Sequence, residues 1–182
     1  MILALSNDPQ STRAWARGSE GEQELASALA SVDGIRVLHD RRVPGTRGNI
    51  DHIVVAPGGV FVVDAKRYEG TIRVRDVSGL FKRDERLYVG RRDCSRLAEN
   101  MTWQVDAVEN ALASVQRDPP PVTPVLCFVR GEWPFLFPPD TYRGVRLEGT
   151  RSIKKLVLRD EVLDDQAIGR VADVLSRHLP PK

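Results

Sequence analysis

Hydrophobic and polar positions follow two periods along this chain, one typical of helices and one typical of strands. Apolar residues recur at steps of three and four from Thr12 to Val32, from Ser95 to Val115 and from Asp164 to Leu179, which predicts three amphipathic helices. β-Branched runs bounded by Gly and Pro predict strands between them. The predicted strands are Ile35–His39, Asn49–Ala56, Val60–Lys66, Gly70–Arg75, Val122–Val129 and Gly144–Leu147, with a second hairpin across Leu80–Val89. This order of elements predicts an α/β fold with a mixed central β-sheet flanked by helices on both faces.

Length and composition indicate one folded domain. The chain has 182 residues, 41% of them hydrophobic and 29% charged, which is typical of a globular protein and excludes a disordered or fibrous one. We therefore expect a single domain over residues 1–182, with core motifs in 15–104 and with 116–182 completing the sheet and the C-terminal helix. The apolar opening, residues 1–5, is too short for a signal peptide or a membrane span. We expect a cytoplasmic protein with no membrane partner.

Two acids and a lysine converge on the predicted hairpin at Pro57-Gly58-Gly59. Side chains alternate along a strand, so Asp64 and Lys66 project to one face of theirs. If Gly58 and Gly59 form a two-residue turn, Asp51 opposes Lys66 and is a diagonal neighbour of Asp64. A three-residue loop would move Asp51 to the other face, so a shared site requires a definite register. The alternative is a solvated ladder of Asp and Lys on an exposed sheet face.

Two further polar residues occupy apolar stripes of predicted helices. Glu22 fills a gap in the stripe of the first helix, and Gln104 borders the stripe of the second. A carboxylate in such a position is costly to bury unless it meets a cation, a donor or a metal. Each residue alone is typical of a hydrogen-bonded polar group in the core. Together with Asp51, Asp64 and Lys66, they predict one polar cluster within an apolar fold.

Such a cluster suits the attack of water on a phosphodiester. Asp51 and Asp64 offer the oxygen ligands that a hard divalent cation needs. Lys66 would orient the water through a lowered pKa, or would neutralise charge on the phosphate. Arginines near these motifs are candidates for binding a phosphate backbone, with a solvated basic face as the alternative, since the net charge is only +2. The candidates are Arg41, Arg42, Arg47 and Arg67, with Arg73 and Arg75 further along.

Three motifs carry a resemblance to a known family. The segments Gly-Ser-Glu-Gly-Glu at 18–22, Gly-Asn-Ile-Asp-His-Ile-Val-Val at 48–55 and Gly-Val-Phe-Val-Val-Asp-Ala-Lys at 59–66 together resemble the nuclease-related domain (NERD) family of the PD-(D/E)XK nuclease superfamily. The resemblance spans about Trp15 to Gln104. It implies a restriction-endonuclease-like core and nucleic-acid cleavage that depends on Mg²⁺ or Mn²⁺.

The resemblance also implies a role for each site residue. Glu22 corresponds to the first-helix acid that positions metal or water, and Asp51 to the principal metal ligand. Asp64 and Lys66 match the D/E-x-K pair, and Gln104 matches the glutamine that often follows on the next helix. Similar sequences often carry Glu at the position of Asp64, and the shorter side chain would alter the metal geometry without removing the site. The implied metal ligands are thus Asp51, Asp64 and Glu22.

The resulting hypothesis is a metal-dependent nuclease that acts on DNA in repair or processing, with RNA as an open alternative substrate. A homodimer, or a helicase or repair protein as partner, stays open. Two other functions are considered: a nucleic-acid-binding module with an idle site, and a partner-recruiting domain that uses the loop Trp133–Pro139 as an exposed apolar anchor. Packing rather than base stacking or catalysis is expected for the remaining aromatic residues, histidines and cysteines. These are Trp103, Trp133, Tyr142, His52, Cys94 and Cys127.

Overall fold

A computed structural model of the protein describes residues 20–78 and 84–182. Its helices are α1 (residues 20–29), α2 (Ser95–Ala113), α3 (Ser152–Val157) and α4 (Asp165–His178). Its strands are β1 (Arg36–Arg42), β2 (Asn49–Ala56), β3 (Gly59–Lys66), β4 (Gly70–Asp76), β5 (Glu85–Val89), β6 (Arg92–Asp93), β7 (Val122–Phe128), β8 (Gly131–Glu132), β9 (Thr141–Tyr142) and β10 (Val145–Glu148). Residues 12–19 of the first predicted helix lie outside the described residues. No helix in the described ranges has the length and apolar character needed to cross a membrane.

Six strands form the central sheet in the order β1-β2-β3-β7-β10-β9, and four form a smaller sheet in the order β6-β5-β4-β8. In the central sheet, β1, β2 and β3 pair antiparallel, whereas β3, β7 and β10 run parallel. The chain passes from the larger sheet to the smaller one twice, because β4 follows β3 and β8 follows β7, and β4 and β8 pair in parallel. The predicted mixed sheet is therefore confirmed.

Alternate side chains of the central strands enter two separate hydrophobic cores. Ile53 and Val55 of β2 pack in the core that contains residues of α2 and α4. Val54 and Ala56, which point to the other face, pack in the core that contains residues of α1 and α3. Since both faces of the sheet are covered by helices, the predicted restriction-endonuclease-like fold class is confirmed. The short helix α3 was not predicted from the sequence.

The turn between β2 and β3 differs from the predicted one. Ala56 pairs with Gly59, so the two turn residues are Pro57 and Gly58, and the predicted turn at Gly58-Gly59 was wrong. The cause is tertiary: the Gly58 amide donates to the Val157 carbonyl at 2.9 Å, and a Cβ on Gly58 would lie 2.6 Å from the Arg159 carbonyl oxygen. The pairing is thus displaced by two residues, an even number that leaves every side chain on its predicted face.

Two other predicted boundaries also change. The segment Leu80–Val89 was predicted to form a hairpin by itself. In the structure its second half, β5, pairs with β4 instead, with Ile72 opposite Val89 and Asp76 opposite Glu85. Residues 79–83 of that segment lie outside the described residues. In addition, β1 continues to Arg42 through its pairing with β2, past the predicted end at His39. The segment after α4 then lies along β1, with the Lys182 amide donating to the Asp40 carbonyl at 3.0 Å.

Candidate active site

Asp64 and Lys66 lie at the end of β3 and form a close ion pair. The Lys66 Nζ is 2.5 Å from Asp64 Oδ1, and Asp64 is only 6% exposed. Burial by itself would lower the pKa of Lys66, but the adjacent Asp64 carboxylate outweighs it and leaves that pKa raised. Lys66 therefore stays protonated and positively charged at physiological pH. Of its two predicted roles, the one that required a lowered pKa, orienting a water, is not supported by this raised pKa, whereas charge neutralisation is compatible with it.

Asp51 lies on the neighbouring strand and shares a face with Asp64. The observed register of β2 and β3, with His52 opposite Val63, extends to place Asp51 across from Asp64 rather than across from Lys66 as predicted. Burial raises the pKa of Asp51 to about 6, and the negative charges of Asp64 and Glu22 add to this effect. The attraction of Lys66 opposes the rise without cancelling it. Asp51 thus lies in a site that is short of positive charge.

Glu22 reaches the same cluster from α1. It is partly buried, and burial is the main cause of its raised pKa, with Lys66 opposing the rise and Asp40 and Asp64 adding to it. A hydrogen bond of 3.3 Å joins His52 Nε2 to the Glu22 carbonyl oxygen. Burial lowers the pKa of His52 to about 4, so the imidazole is neutral at physiological pH, and its Nε2–H donates this bond. His52 was predicted to be structural, and this hydrogen bond is consistent with that role because it holds the Glu22 backbone against β2.

Asn49 and Asp40 belong to the cluster but were missed in the sequence. The Asn49 Nδ2 donates to Asp40 Oδ1 at 2.7 Å and to Asp51 Oδ1 at 3.3 Å. Asn49 precedes Asp51 by two residues, so strand alternation places both side chains on one face and was a usable signal. Asp40 carried no such signal, because it joins the cluster only through the pairing of β1 with β2 and has a backbone φ of 48° that is rare for a residue with a side chain.

Gln104 lies in α2 and is 8% exposed. Its Nε2 donates to the Asn100 carbonyl at 3.4 Å, one turn earlier in the same helix. Among the described residues it forms no hydrogen bond with Asp51, Asp64 or Lys66. The structure therefore buries Gln104, as its place beside the apolar stripe predicted, and the hydrogen bond that its side chain donates stays within α2.

The four arginines proposed for phosphate binding have different environments. Arg67 is engaged by α1, with its Nη1 2.7 Å from Glu20 Oε2 and its Nε 3.6 Å from Glu24 Oε1. Arg41 is half-buried, and its Nε is buried without a hydrogen-bond partner. Arg42 and Arg47 are exposed. Arg67 thus ties the end of β3 to α1, whereas Arg42 and Arg47 form no ion pair with a described carboxylate.

The donor set fits a hard divalent cation. Within the described parts of the chain, no three or more His, Cys, Asp or Glu side chains lie close enough together to hold a metal ion. Two carboxylates on one sheet face are nevertheless sufficient, because Mg²⁺ keeps several waters and takes only one or two carboxylates from a protein. Burial is the main cause of the raised pKa of Asp51, and the negative charges of Asp64 and Glu22 add to it; such a cation would relieve that repulsion. Asp51 and Asp64 are therefore the fitting pair, with Glu22 beside them.

Comparisons with known proteins give a family match and a relative that is similar over part of the chain. The family model described as nuclease-related domain matches residues 17–129, well over half of the chain. An uncharacterized protein of Bacillus anthracis is 38% identical over 77 residues, which cover 37% of this chain and 36% of that protein. The similarity to that relative therefore concerns only about a third of its length. No solved structure matches the chain.

Proposed function

Because this chain belongs to the nuclease-related domain family, we propose that it is a divalent-cation-dependent nuclease that hydrolyses phosphodiester bonds of DNA. The observation that carries this proposal is the convergence of Asp51, Asp64 and Lys66 on one face of two adjacent strands. A solvated ladder, the alternative for these residues, would leave them exposed, whereas Asp64 is buried and Asp51 has a pKa of about 6. A role in DNA repair or processing is part of the proposal.

Each side chain has a role that follows from its surroundings. Asp51 and Asp64 would hold Mg²⁺ or Mn²⁺, which when bound supplies Lewis acidity toward the phosphoryl oxygen and lowers the pKa of water. Lys66 keeps its proton beside Asp64 and stabilises the negative charge that grows on the phosphate in the transition state. Glu22, with its raised pKa, orients the attacking water and accepts its proton. Asn49 holds the Asp51 carboxylate in one orientation.

Cleavage assays with matched variants test the proposal. Purified protein is incubated with plasmid, single-stranded and branched DNA, and with RNA, in the presence of Mn²⁺ or Mg²⁺. We expect Asp64→Asn to abolish cleavage and Lys66→Met to slow it by about 10²- to 10³-fold, as removal of a transition-state charge donor does. Asp106→Asn is the control, because this aspartate is exposed on α2. Cleavage that survives a chelator, or that Asp64→Asn leaves unchanged, would contradict the proposal, and cleavage of RNA alone would change the substrate.

A second candidate function is association through the loop that precedes β9. Phe135 is 98% exposed and Phe137 is 93% exposed, with Leu136 between them at 69%. Three adjacent exposed apolar side chains are typical of an interaction site. If this loop joins two copies of the chain, sedimentation should show a dimer that the double variant Phe135→Ser, Phe137→Ser converts to monomer and that Asp64→Asn leaves intact. A wild-type protein that stays monomeric at high concentration would exclude this dimer.

A further inference from the structure

An exposed arginine lies over an aromatic ring close to the lysine of the site. The Arg92 guanidinium carbon is 4.3 Å from the centre of the Tyr68 ring, within the range of a cation–π interaction. Tyr68 is partly buried and packs against the hydrophobic core on the side of α2 and α4. It follows Lys66 by two residues, so at most about 7 Å of backbone separates their Cα atoms. Arg92 thus lies over a partly buried ring that belongs to the same strand end as Lys66 and contributes to the electrostatic environment of that lysine.

The smaller sheet determines this placement. Ile72 of β4 pairs with Val89 of β5, which in turn pairs with Arg92 of β6, so Arg92 returns to the level at which β4 begins. Two glycines allow the close approach: a Cβ on Gly70 would lie 2.9 Å from the Gly90 Cα. The position of Arg92 therefore follows from the backbone pairing and not from a flexible side chain alone.

Apart from its contact with the Tyr68 ring, the charge of Arg92 is not paired within the described part of the protein. No described carboxylate lies within 4 Å of its guanidinium, although Asp93 is the next residue along the chain. Asp93 instead faces Arg86 at 3.5 Å. Arg67, which the sequence analysis proposed for phosphate binding, is in contrast paired with Glu20. An arginine stacked on a ring keeps its N–H groups at the edge, where they match the two oxygens of a phosphate.

We propose that Arg92, supported by Tyr68, binds a backbone phosphate of the nucleic-acid strand next to the phosphodiester that reaches Lys66. This subsite rests on the proposed function in one respect, which is that a nucleic-acid strand occupies the active site. It contacts phosphate and not the bases, so it contributes affinity and strand position without sequence preference. The ligand class is a polynucleotide backbone.

A purely structural cation–π pair is the competing explanation. At an exposed site such a pair adds modestly to the stability of the fold, so Arg92 would then matter for stability and not for binding. The two explanations are separated by measuring binding and thermal stability on the same variants. A matched control is available in Arg91, which is exposed, carries the same charge and precedes Arg92 directly.

Binding is measured by fluorescence anisotropy with a labelled DNA oligonucleotide, single-stranded and duplex, in chelator and over a range of salt concentrations. We expect Arg92→Gln to weaken binding about three- to tenfold and Arg91→Gln to have a smaller effect. Loss of one phosphate contact should also reduce the slope of log affinity against log salt by about 0.7 to 0.9. Tyr68→Leu should reproduce part of the loss, and Tyr68→Phe should restore wild-type binding because the ring is kept.

Equal effects of Arg92→Gln and Arg91→Gln on affinity and on the salt slope would overturn the subsite. The absence of any nucleic-acid binding would overturn it as well. Because binding is measured without a divalent cation, its outcome is independent of turnover. Binding that depends on Arg92 in a protein without cleavage activity would reject the nuclease proposal and retain the subsite. Cleavage with a KM that Arg92→Gln leaves unchanged would retain the nuclease and reject the subsite.

Discussion

Replacing Asp51 with asparagine should stabilise the cation-free protein at neutral and alkaline pH while it abolishes cleavage. The ionised Asp51 carboxylate lies near Asp64 and Glu22, and its main unfavourable feature is burial. Asparagine has nearly the same shape and keeps an oxygen that accepts the hydrogen bond from Asn49. The variant therefore removes the charge and leaves the packing, which is the condition for isolating an electrostatic contribution.

The size of the effect follows from the pKa of Asp51, which rises from 3.8 to about 6 in the folded protein. Each pKa unit corresponds to about 1.4 kcal/mol, so ionised Asp51 lowers the free energy of unfolding by up to about 3 kcal/mol. Water reaches part of this side chain, and we expect about 1 to 2 kcal/mol. An acid whose pKa is raised by folding stabilises the folded protein only in its protonated form. The contribution of protonated Asp51 to the free energy of unfolding is therefore fully present below pH 3.8 and is lost as the pH rises through about 6.

Urea unfolding followed by far-ultraviolet circular dichroism, in chelator at pH 5 and pH 8, measures this difference. At pH 8 Asp51→Asn should be the more stable protein, and in a parallel thermal scan its melting temperature should be higher by about 2 to 8 °C for a chain of this size. The difference should shrink at pH 5. Added Mn²⁺ should stabilise the wild type and not the variant, because a ligand that binds only the folded site raises stability by mass action.

Several results would refute this reasoning. If Asp51→Asn is less stable than the wild type at pH 8 in chelator, the carboxylate forms favourable interactions that outweigh its burial. If the exposed control Asp106→Asn shows the same gain, the effect is one of net charge and not of the site. If Mn²⁺ stabilises both proteins equally, Asp51 is not a ligand of the cation.

Three further predictions rest on single contacts. Gly58→Ala should lower the free energy of unfolding by about 1 to 3 kcal/mol in urea titrations, because its Cβ would meet the Arg159 carbonyl oxygen at 2.6 Å and the backbone cannot easily move. Gly48→Ala meets Trp103 at 2.7 Å, but that ring is 39% exposed, so we expect a shift in tryptophan emission with a smaller loss of stability. Burial raises the pKa of Cys127 to about 12, so its thiol should resist alkylation in the native protein and react in urea, as peptide mass spectrometry would show.

The sequence was sufficient for those features that depend on local periodicity. β3 is buried on both faces and reads as a continuous apolar run, and its alternation correctly divides Val62 from Val63 between the two cores. The same alternation predicted that Asp51 and Asp64 share a face. That prediction survives the incorrect turn because a displacement by two residues preserves the parity on which the face depends.

Features that depend on contacts between distant segments were not accessible from the sequence. The turn at Pro57-Gly58 is determined by the carbonyl groups at the end of α3, a helix of six residues that no periodicity predicted. Asp40 joins the site through strand pairing and an unusual φ, neither of which has a signature in residue type. Arg67 illustrates the same limit: its place next to a motif suggested phosphate binding, which stays a prediction, but nothing in the sequence indicated the ion pair with Glu20 that links the end of β3 to α1.

The distribution of charge around the site follows from these distant contacts. Arg67, the arginine next to Lys66 in sequence, is used to hold α1 in place, and α1 in turn carries Glu22 to the cluster. Arg92, which is 26 residues away in sequence, is brought back to the same strand end by β4, β5 and β6 and keeps its charge for a ligand. Proximity in sequence is thus a poor guide to which arginine meets a phosphate. The partners of each guanidinium in the folded chain decide it, because a charge already paired with a carboxylate gains little from a second anion.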